Sequence, residues 1–218
     1  MRIPWHWMMV TAAAVLVLSL YLSELWSGHT EPHRRNTPRL VYAGYDLVED
    51  AGNAVWSNDT RVLTIGARGS GGGGMVTRPE YELLEDRRIW PKFLLTQPQQ
   101  APYGAVQGRY GPFTMSRRIN LLLEIGYTFD ARPTASGRFK VFFLQRNGRR
   151  EPLHDSVESY DGCLARYIVS LESVSGRIGY LLLQVAGGST AWQDKAVWAR
   201  ARVIPADDDV EKERRCGP

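Results

Sequence analysis

The sequence predicts an all-β protein, an antiparallel β-sandwich or jelly roll preceded by one N-terminal transmembrane helix. An uncharged apolar run lies near the N-terminus, and hydrophobic residues then alternate with polar ones between clusters of turn residues. Helical periodicity is absent after residue 40. We therefore divide the chain into an anchor (1–26), a juxtamembrane linker (27–39), a β-sandwich domain (40–205) and a charged flexible tail (206–218).

The composition excludes several classes of protein. The chain has 218 residues, 44% hydrophobic and 23% charged, which are averages for a globular protein and not for a disordered one. Its 2 cysteines are too few for a disulfide framework, an iron–sulfur cluster or a cysteine-built zinc site. The net charge of +4 is small and spread along the chain, so we expect no nucleic-acid partner.

The anchor is predicted from residues 8–22, which carry no charge and follow Arg2. Trp5 and Trp7 precede this run and Trp26 follows it, so helical residues 5–26 would span roughly 31 Å. That length matches a bilayer core with tryptophans at both lipid interfaces. We expect a single pass through the inner membrane, in contact with lipid, with the β-domain on the periplasmic or extracellular side. A cleaved signal peptide begins in the same way and is the main alternative; a buried soluble helix is the other.

The strands are predicted in chain order from period-two alternation. In Ile119–Phe129 the odd-numbered positions are apolar and face the core, and in Arg138–Gln145 Phe139, Val141 and Phe143 do the same before an Asn147-Gly148 hairpin turn. Further inward sets are Tyr167, Val169 and Leu171, then Leu181, Leu183 and Val185. Shorter candidate strands are Leu40–Val48, Arg61–Ile65, Tyr81–Leu84, Ile89–Thr96 and Ala105–Gly108.

The last predicted strand, Ala196–Ile204, carries a candidate partner-binding face. Strict alternation places Trp198, Arg200 and Arg202 together, opposite an apolar face that includes Val197 and Ala199. Tryptophan and arginine are enriched at binding hot spots and stack on one another. The alternative is a covered face, with the arginines paired to acids such as Glu124.

Several short motifs together resemble a bacterial extracytoplasmic β-sandwich module of uncharacterised type, similar in shape to galactose-binding-like jelly rolls. The match spans about residues 42–204. It is carried by Tyr45-Asp46-Leu47-Val48, Ala54-Val55-Trp56, Leu83-Leu84-Glu85-Asp86, Leu94-Leu95-Thr96-Gln97-Pro98, Val106-Gln107-Gly108-Arg109-Tyr110, Tyr160-Asp161-Gly162 and Gln193-Asp194-Lys195-Ala196-Val197-Trp198. The chain departs from the pattern at Arg87, Gly111 and Lys195. The resemblance implies the fold, and loosely implies that the module binds glycans or other proteins, with no catalytic residue.

A second candidate surface is the segment around Arg109 and Tyr110, with Tyr103 on a nearby loop rich in proline and glycine. Aromatic rings beside an arginine suit a sugar or a peptide, and a packed loop anchor is the equal alternative. We expect Cys163 and Cys216 to remain free thiols, since the tail would have to fold back for them to pair.

The remaining candidate sites are weaker. Asp194 lies between two tryptophans, and its carboxylate would bind Ca²⁺ with Asp46 or Asp161; a turn-capping role is favoured, so we expect no cofactor. Residues 154–156 contain His, Asp and Ser, but neighbouring strand residues point to opposite faces and so form no catalytic relay. We therefore expect binding without catalysis.

Two functions follow from these expectations. The first is a structural or accessory subunit of a larger membrane complex, for example an energy-transducing or photosynthetic one, which the helix and the sandwich would contact together. The alternative is a glycan-binding module displayed on the cell envelope, as the resemblance implies.

Overall fold

In a computed structural model, fifteen strands and two short 3₁₀ helices make up the regular structure of the described residues, which are 37–58, 60–66, 74–98, 104–131, 133–187, 195–208 and 215–216. The strands are β1 (Arg39–Val41), β2 (Val55–Asn58), β3 (Val62–Leu63), β4 (Met75–Thr77), β5 (Glu82–Leu83), β6 (Ile89–Trp90), β7 (Leu94–Gln97), β8 (Ala105–Met115), β9 (Ile119–Tyr127), β10 (Ser136–Gln145), β11 (Arg150–Ser159), β12 (Cys163–Ser170), β13 (Ile178–Gly187), β14 (Ala196–Pro205) and β15 (Arg215–Cys216). The 3₁₀ helices are Glu49–Asn53 and Glu172–Val174.

Two sheets form a sandwich, which confirms the predicted all-β antiparallel class. One sheet has the strand order β11-β10-β13-β8-β2-β3, with β1 pairing in parallel to the far end of β8. The other has the order β15-β12-β9-β14-β7-β4, and β5 and β6 form a separate hairpin. We call the first the seven-stranded sheet and the second the six-stranded sheet.

The main core lies between the sheets and follows the predicted alternation. In β9 the predicted inward residues from Ile119 to Tyr127 are all buried, and so are Phe139, Val141 and Phe143 in β10. Phe129, the last residue predicted to face the core, lies beyond the end of β9 and is exposed. Gly148 has φ of 85° in the turn between β10 and β11, as the Asn-Gly pair predicts. The predicted strand Leu40–Val48 is shorter than expected, because Tyr42 begins a turn after β1.

A second apolar cluster lies on the outer face of the six-stranded sheet, under the β5–β6 hairpin. It joins Leu84, Trp90 and Phe93 from the hairpin region to Leu95, Leu164, Val197 and Ala199 from the sheet. The outer face of this sheet is therefore covered by the chain itself at that end.

The two cysteines form a disulfide, so the prediction of free thiols is wrong. Strand β15 pairs with β12, with Cys216 directly opposite Cys163. The charged tail thus returns to the edge of the six-stranded sheet.

The described residues contain no helix with the length and apolarity needed to span a bilayer. Residues 1–26, where the anchor is predicted, lie outside the described part of the chain, so that helix gains no support from the structure.

Candidate functional site

A row of hydrogen-bonding side chains crosses the outer face of the seven-stranded sheet. Strand pairing places Lys140 opposite both Asp155 and Gln184, and Gln107 opposite both Gln184 and Ser57. The five residues therefore lie side by side on β11, β10, β13, β8 and β2, and we call them the polar row. All five are at least partly exposed. Their neighbours along each strand point into the core, which is why the row faces outward.

A mostly apolar row lies next to the polar row on the same face. Strand pairing brings Pro152, Phe142, Leu182, Arg109 and Val55 into line across the same five strands. Leu182 is only 2% exposed although it points away from the sandwich core. Its neighbours on this face therefore cover it, and the floor of the face is apolar.

Three cations on this face lie over aromatic rings. The Arg109 guanidinium carbon is 5.2 Å from the centre of the Tyr180 ring. Lys140 Nζ and the guanidinium carbon of Arg150 each lie 6.0 Å from the centre of the Phe142 ring. These distances are within the range of cation–π attraction, which holds the long side chains against the sheet.

The carboxylate of the polar row is neutralised by a neighbour. Arg138 donates two hydrogen bonds to Asp155, at 2.6 and 2.9 Å. These bonds lower the pKa of the Asp155 carboxyl, so it remains ionised and paired. Lys140 lies opposite Asp155 across the strands, and its charge also helps to lower the pKa of that carboxyl, although the two form no ion pair. Arg109 forms no ion pair among the described residues.

The opposite face, on the six-stranded sheet, holds a buried ion cluster in place of a binding surface. Glu124 is fully buried and accepts hydrogen bonds from Arg166 at 2.6 and 2.9 Å. Arg200 approaches the other carboxylate oxygen of Glu124 at 3.4 Å and lies 5.8 Å from the centre of the Trp90 ring. The covered arrangement with Glu124, one of the two interpretations of the sequence, is thus the one observed for Arg200.

The predicted surface position of Trp198 is wrong. A β-bulge between Trp198 and Arg200 shifts the alternation of β14 by one residue. Trp198 is therefore fully buried and packs edge-on against Phe139, 5.3 Å between ring centres, while Ala199 faces the opposite side. Arg202 is exposed, but it does not share a face with Trp198.

Of the two described residues in the second predicted group, Arg109 lies on the surface and Tyr110 does not. Tyr110 is fully buried, with its ring 5.9 Å from that of Trp56, so its predicted role as a contact residue is wrong. It follows Arg109 in a strand, and consecutive side chains point to opposite faces. Tyr103 lies outside the described residues.

The other predicted site residues are untested. Asp194 and the interfacial tryptophans Trp5, Trp7 and Trp26 lie outside the described residues. Within the described ranges, no three or more His, Cys, Asp and Glu side chains are grouped to hold a metal ion.

Glu85 joins two of the sequence motifs that carry the resemblance, its own and Tyr160-Asp161-Gly162, to strand β9. It is 2% exposed, and its carboxylate accepts backbone N–H bonds from Tyr127 at 2.8 Å, Asp161 at 3.2 Å and Gly162 at 3.3 Å. Burial raises the pKa of this carboxyl to about 7, against the opposing effect of the three donors. A Cβ added at Gly126 would lie 2.1 Å from Glu85 Oε1, so the glycine makes room for the carboxylate. This buried cluster ties the turn between β5 and β6 to β9 and to the loop that precedes β12.

His154 and Ser156 contact one another on β11, with 3.0 Å between Nε2 and Oγ. Asp155 points to the other face and binds Arg138, so the three residues form no relay, as predicted. The His154 ring lies 4.4 Å from that of Tyr167, and burial lowers the pKa of the imidazole.

Sequence reasoning missed most of the site, namely Ser57, Gln107, Phe142, Tyr180 and Gln184. One signal was available in the sequence. Phe142 is an apolar residue that alternation places on the outward face of β10, two residues after Lys140. Assembling the row also requires the register of five strands, which one sequence does not contain.

Comparisons with known proteins find relatives only among solved structures. No family model and no curated protein matches the sequence. The structure is similar to the C-terminal family 22 carbohydrate-binding module of Clostridium thermocellum Xyn10B, at a TM-score of 0.44 and 11% identity over 80% of this chain and 100% of that one. It is also similar to the CBM22-1 xylan-binding domain of Paenibacillus barcinonensis Xyn10C, at a TM-score of 0.44 and 14% identity over 76% of this chain and 97% of that one. A third similar structure is that of CBM51-2 in complex with GlcNAc and INT domains from Clostridium perfringens ZmpB. It matches at a TM-score of 0.41 and 17% identity over 71% of this chain and 30% of that one.

These comparisons contradict the predicted function of an accessory subunit in a membrane complex. The structures named are carbohydrate-binding modules with a β-sandwich fold, as the resemblance in the sequence also implies. At this level of similarity no residue role transfers to this chain, so the role of each side chain has to be argued from its own surroundings.

Proposed function

We propose that the β-sandwich is a glycan-binding module and that the polar row is its binding site. The observation that carries the proposal is the row itself: five hydrogen-bonding side chains, one on each of five adjacent strands, in direct cross-strand register.

The spacing of the row suits a linear sugar polymer. Neighbouring strands lie about 4.8 Å apart, so the row presents one polar side chain per step of that length. This step is close to the length of one sugar unit in an extended polysaccharide. A chain laid across the strands would therefore meet one polar side chain at each unit.

The chemistry of the row suits hydroxyl groups. The amides of Gln107 and Gln184 each offer donors and an acceptor, and Ser57 offers both in one group. Gln107 Nε2 lies 3.3 Å from Ser57 Oγ, while no side-chain partner of the Gln184 amide is found among the described residues. In the neighbouring apolar row, the exposed Pro152 and the partly exposed Val55 would pack against the C–H surface of the sugar rings.

Display outside the cytoplasm is part of the proposal. The Cys163–Cys216 disulfide supports it, because structural disulfides persist in oxidising compartments. We also propose that the predicted anchor (1–26) attaches the module to the membrane. The module binds without performing chemistry, and no cofactor is needed for the interaction described.

The test compares two matched variants of the full-length chain by affinity electrophoresis in gels containing soluble polysaccharides. The double variant Gln107→Ala, Gln184→Ala removes two amides from the row, and the control Asn120→Ala removes one from the other sheet. With roughly 1 kcal/mol for each hydrogen bond, we expect the double variant to bind about 30-fold more weakly and the control to bind normally.

The polymers are xylan, polygalacturonate, dextran and dextran sulfate. Thermal unfolding of each variant establishes that it is folded. If the folded double variant retains full binding to every polymer that the wild type binds, the polar row is not the site.

A further inference from the structure

Three cations on the outer face of the seven-stranded sheet lack a carboxylate partner. Among the described residues, no acidic oxygen lies within ion-pair distance of Arg109, Lys140 or Arg150. Many of the other described cations are paired, in the ion pairs Arg39–Asp50, Lys92–Glu49, Arg138–Asp155, Arg166–Glu124, Arg177–Glu151 and Lys195–Asp130. Exposed arginines on other parts of the described surface, such as Arg88, Arg117 and Arg202, form no ion pair either. What distinguishes the three cations of this face is that they share one sheet with a single carboxylate, and a local excess of positive charge indicates an electrostatic preference in what that face binds.

The charge of the face is strongly one-sided. On the outward positions of β8, β10, β11 and β13 the structure places four cations, the three above and Arg138, against the single carboxylate of Asp155. Asp155 pairs with Arg138 and is also attracted by Lys140, so four positive charges against one negative charge leave an excess of three positive charges on the face. Strands β11 and β8 are three strand spacings apart, so the cations extend over about 14 Å.

The cations also occupy the aromatic faces. Arg109 lies over Tyr180, and both Lys140 and Arg150 lie over Phe142. A neutral sugar that stacked on either ring would have to displace a charged side chain. An anionic group would instead find charged donors already held in place, which reduces the entropy cost of binding.

From these observations we infer that the face takes an acidic polysaccharide, whose carboxylate or sulfate groups pair with Arg109, Lys140 and Arg150 while its hydroxyls contact the polar row. The inference rests on the proposed function, because it names the class of glycan for the same site. The extent of the positive region fits a polymer with repeated charges better than a small anion.

The experiment uses polymer pairs that differ in charge alone. Polygalacturonate is compared with its methyl ester, and dextran sulfate with dextran, which separates carboxylate from sulfate recognition. Single-stranded DNA serves as a polyanion without sugar hydroxyl rows. The full-length wild type is expected to bind one acidic polymer at least tenfold more tightly than its neutral partner.

Two triple variants with equal net charge complete the design. Arg109→Gln, Lys140→Gln, Arg150→Gln removes the cations of the face. Arg88→Gln, Arg117→Gln, Arg202→Gln removes three exposed arginines elsewhere. At roughly threefold for each exposed ion pair, the first variant is expected to lose about 30-fold in affinity for the acidic polymer, and the second to change little.

The outcomes separate this inference from the proposed function. Equal binding of acidic and neutral partners, abolished by Gln107→Ala with Gln184→Ala, overturns the preference for acids and leaves glycan binding intact. Equal losses in the two triple variants, or DNA binding as tight as that of the acidic polymer, overturn the site assignment. Failure to bind any of the polymers overturns both proposals.

Discussion

Replacing Glu85 by glutamine is expected to change how the stability of the domain depends on pH. The wild-type carboxyl belongs to the turn between β5 and β6, is buried, and has a pKa of about 7, raised by burial. The folded state therefore binds this proton more tightly than the unfolded state does, where the pKa is near 4.5. The stability that Glu85 contributes is fully present below pH 4.5 and is lost as the pH rises to about 7.

The magnitude follows from the difference between the two pKa values. It corresponds to about 3 kcal/mol of unfolding free energy lost between pH 4.5 and 7.5. The glutamine variant has no proton to lose in this window. Its amide also meets two backbone donors, from Asp161 and Gly162, which adds a penalty that does not depend on pH.

Other titrating groups also change the stability of the domain with pH, and their effect has to be separated from that of Glu85. The lowered pKa values of Asp50, Asp130, Glu151 and Asp155 affect stability mainly below pH 4.5. The lowered pKa of His154 affects stability below pH 6.5. Like the lowered carboxyl pKa values, and opposite to Glu85, it makes stability rise with pH. All five groups are present in both proteins, so the difference between wild type and variant isolates Glu85.

The assay is urea unfolding followed by tryptophan fluorescence at intervals from pH 4.5 to 8. The free-energy difference between wild type and Glu85→Gln is expected to shrink by about 3 kcal/mol across this range. Glu82→Gln, at an exposed position in the same hairpin, should show a constant difference near zero. A wild-type and Glu85→Gln difference that stays constant to within 0.5 kcal/mol would refute the reasoning.

Three further predictions concern the scaffold. Serine at Cys163 and Cys216 should cost about 4 kcal/mol, as expected for a loop of 53 residues, and adding reductant to the wild type should lower its urea midpoint to match. Glutamine at Glu124 leaves two arginines with a neutral partner and should cost about 3 kcal/mol in the same titration; a change below 1 kcal/mol would contradict a structural ion cluster. Alanine at Gly108 would place Cβ 2.5 Å from the ring of Trp56, so a loss of about 2 kcal/mol is expected by thermal unfolding, and an unchanged midpoint would contradict this packing.

The long strands could be predicted from the sequence because alternation is a local property. In β9 every second residue from Ile119 is apolar, and that pattern survives folding intact. It failed in β14, where a single bulge after Trp198 moved the tryptophan from the expected surface into the core. A bulge changes the phase of alternation without leaving a mark in the residue types, so period-two reasoning cannot locate it.

The site and the disulfide could not be predicted because they depend on which strands become neighbours. Gln107 and Gln184 are 77 positions apart, and they meet only because β8 pairs with β13 in one register. Cys163 and Cys216 likewise meet only because the tail adds a strand to β12. The outward position of Lys140 could be predicted from its own strand, but its neighbours across the sheet could not.

The covering of one sheet explains why the other is available for binding. The β5–β6 hairpin buries Trp90 against the six-stranded sheet, and Arg166 and Arg200 on the same side both pair with Glu124. No equivalent segment among the described residues covers the polar row, whose side chains remain partly exposed. On this sheet face the partly exposed amides and the unpaired cations contribute little free energy to the stability of the fold. These groups can still form favourable contacts with a ligand. Because the face is positively charged, an anionic polymer would bind it most tightly.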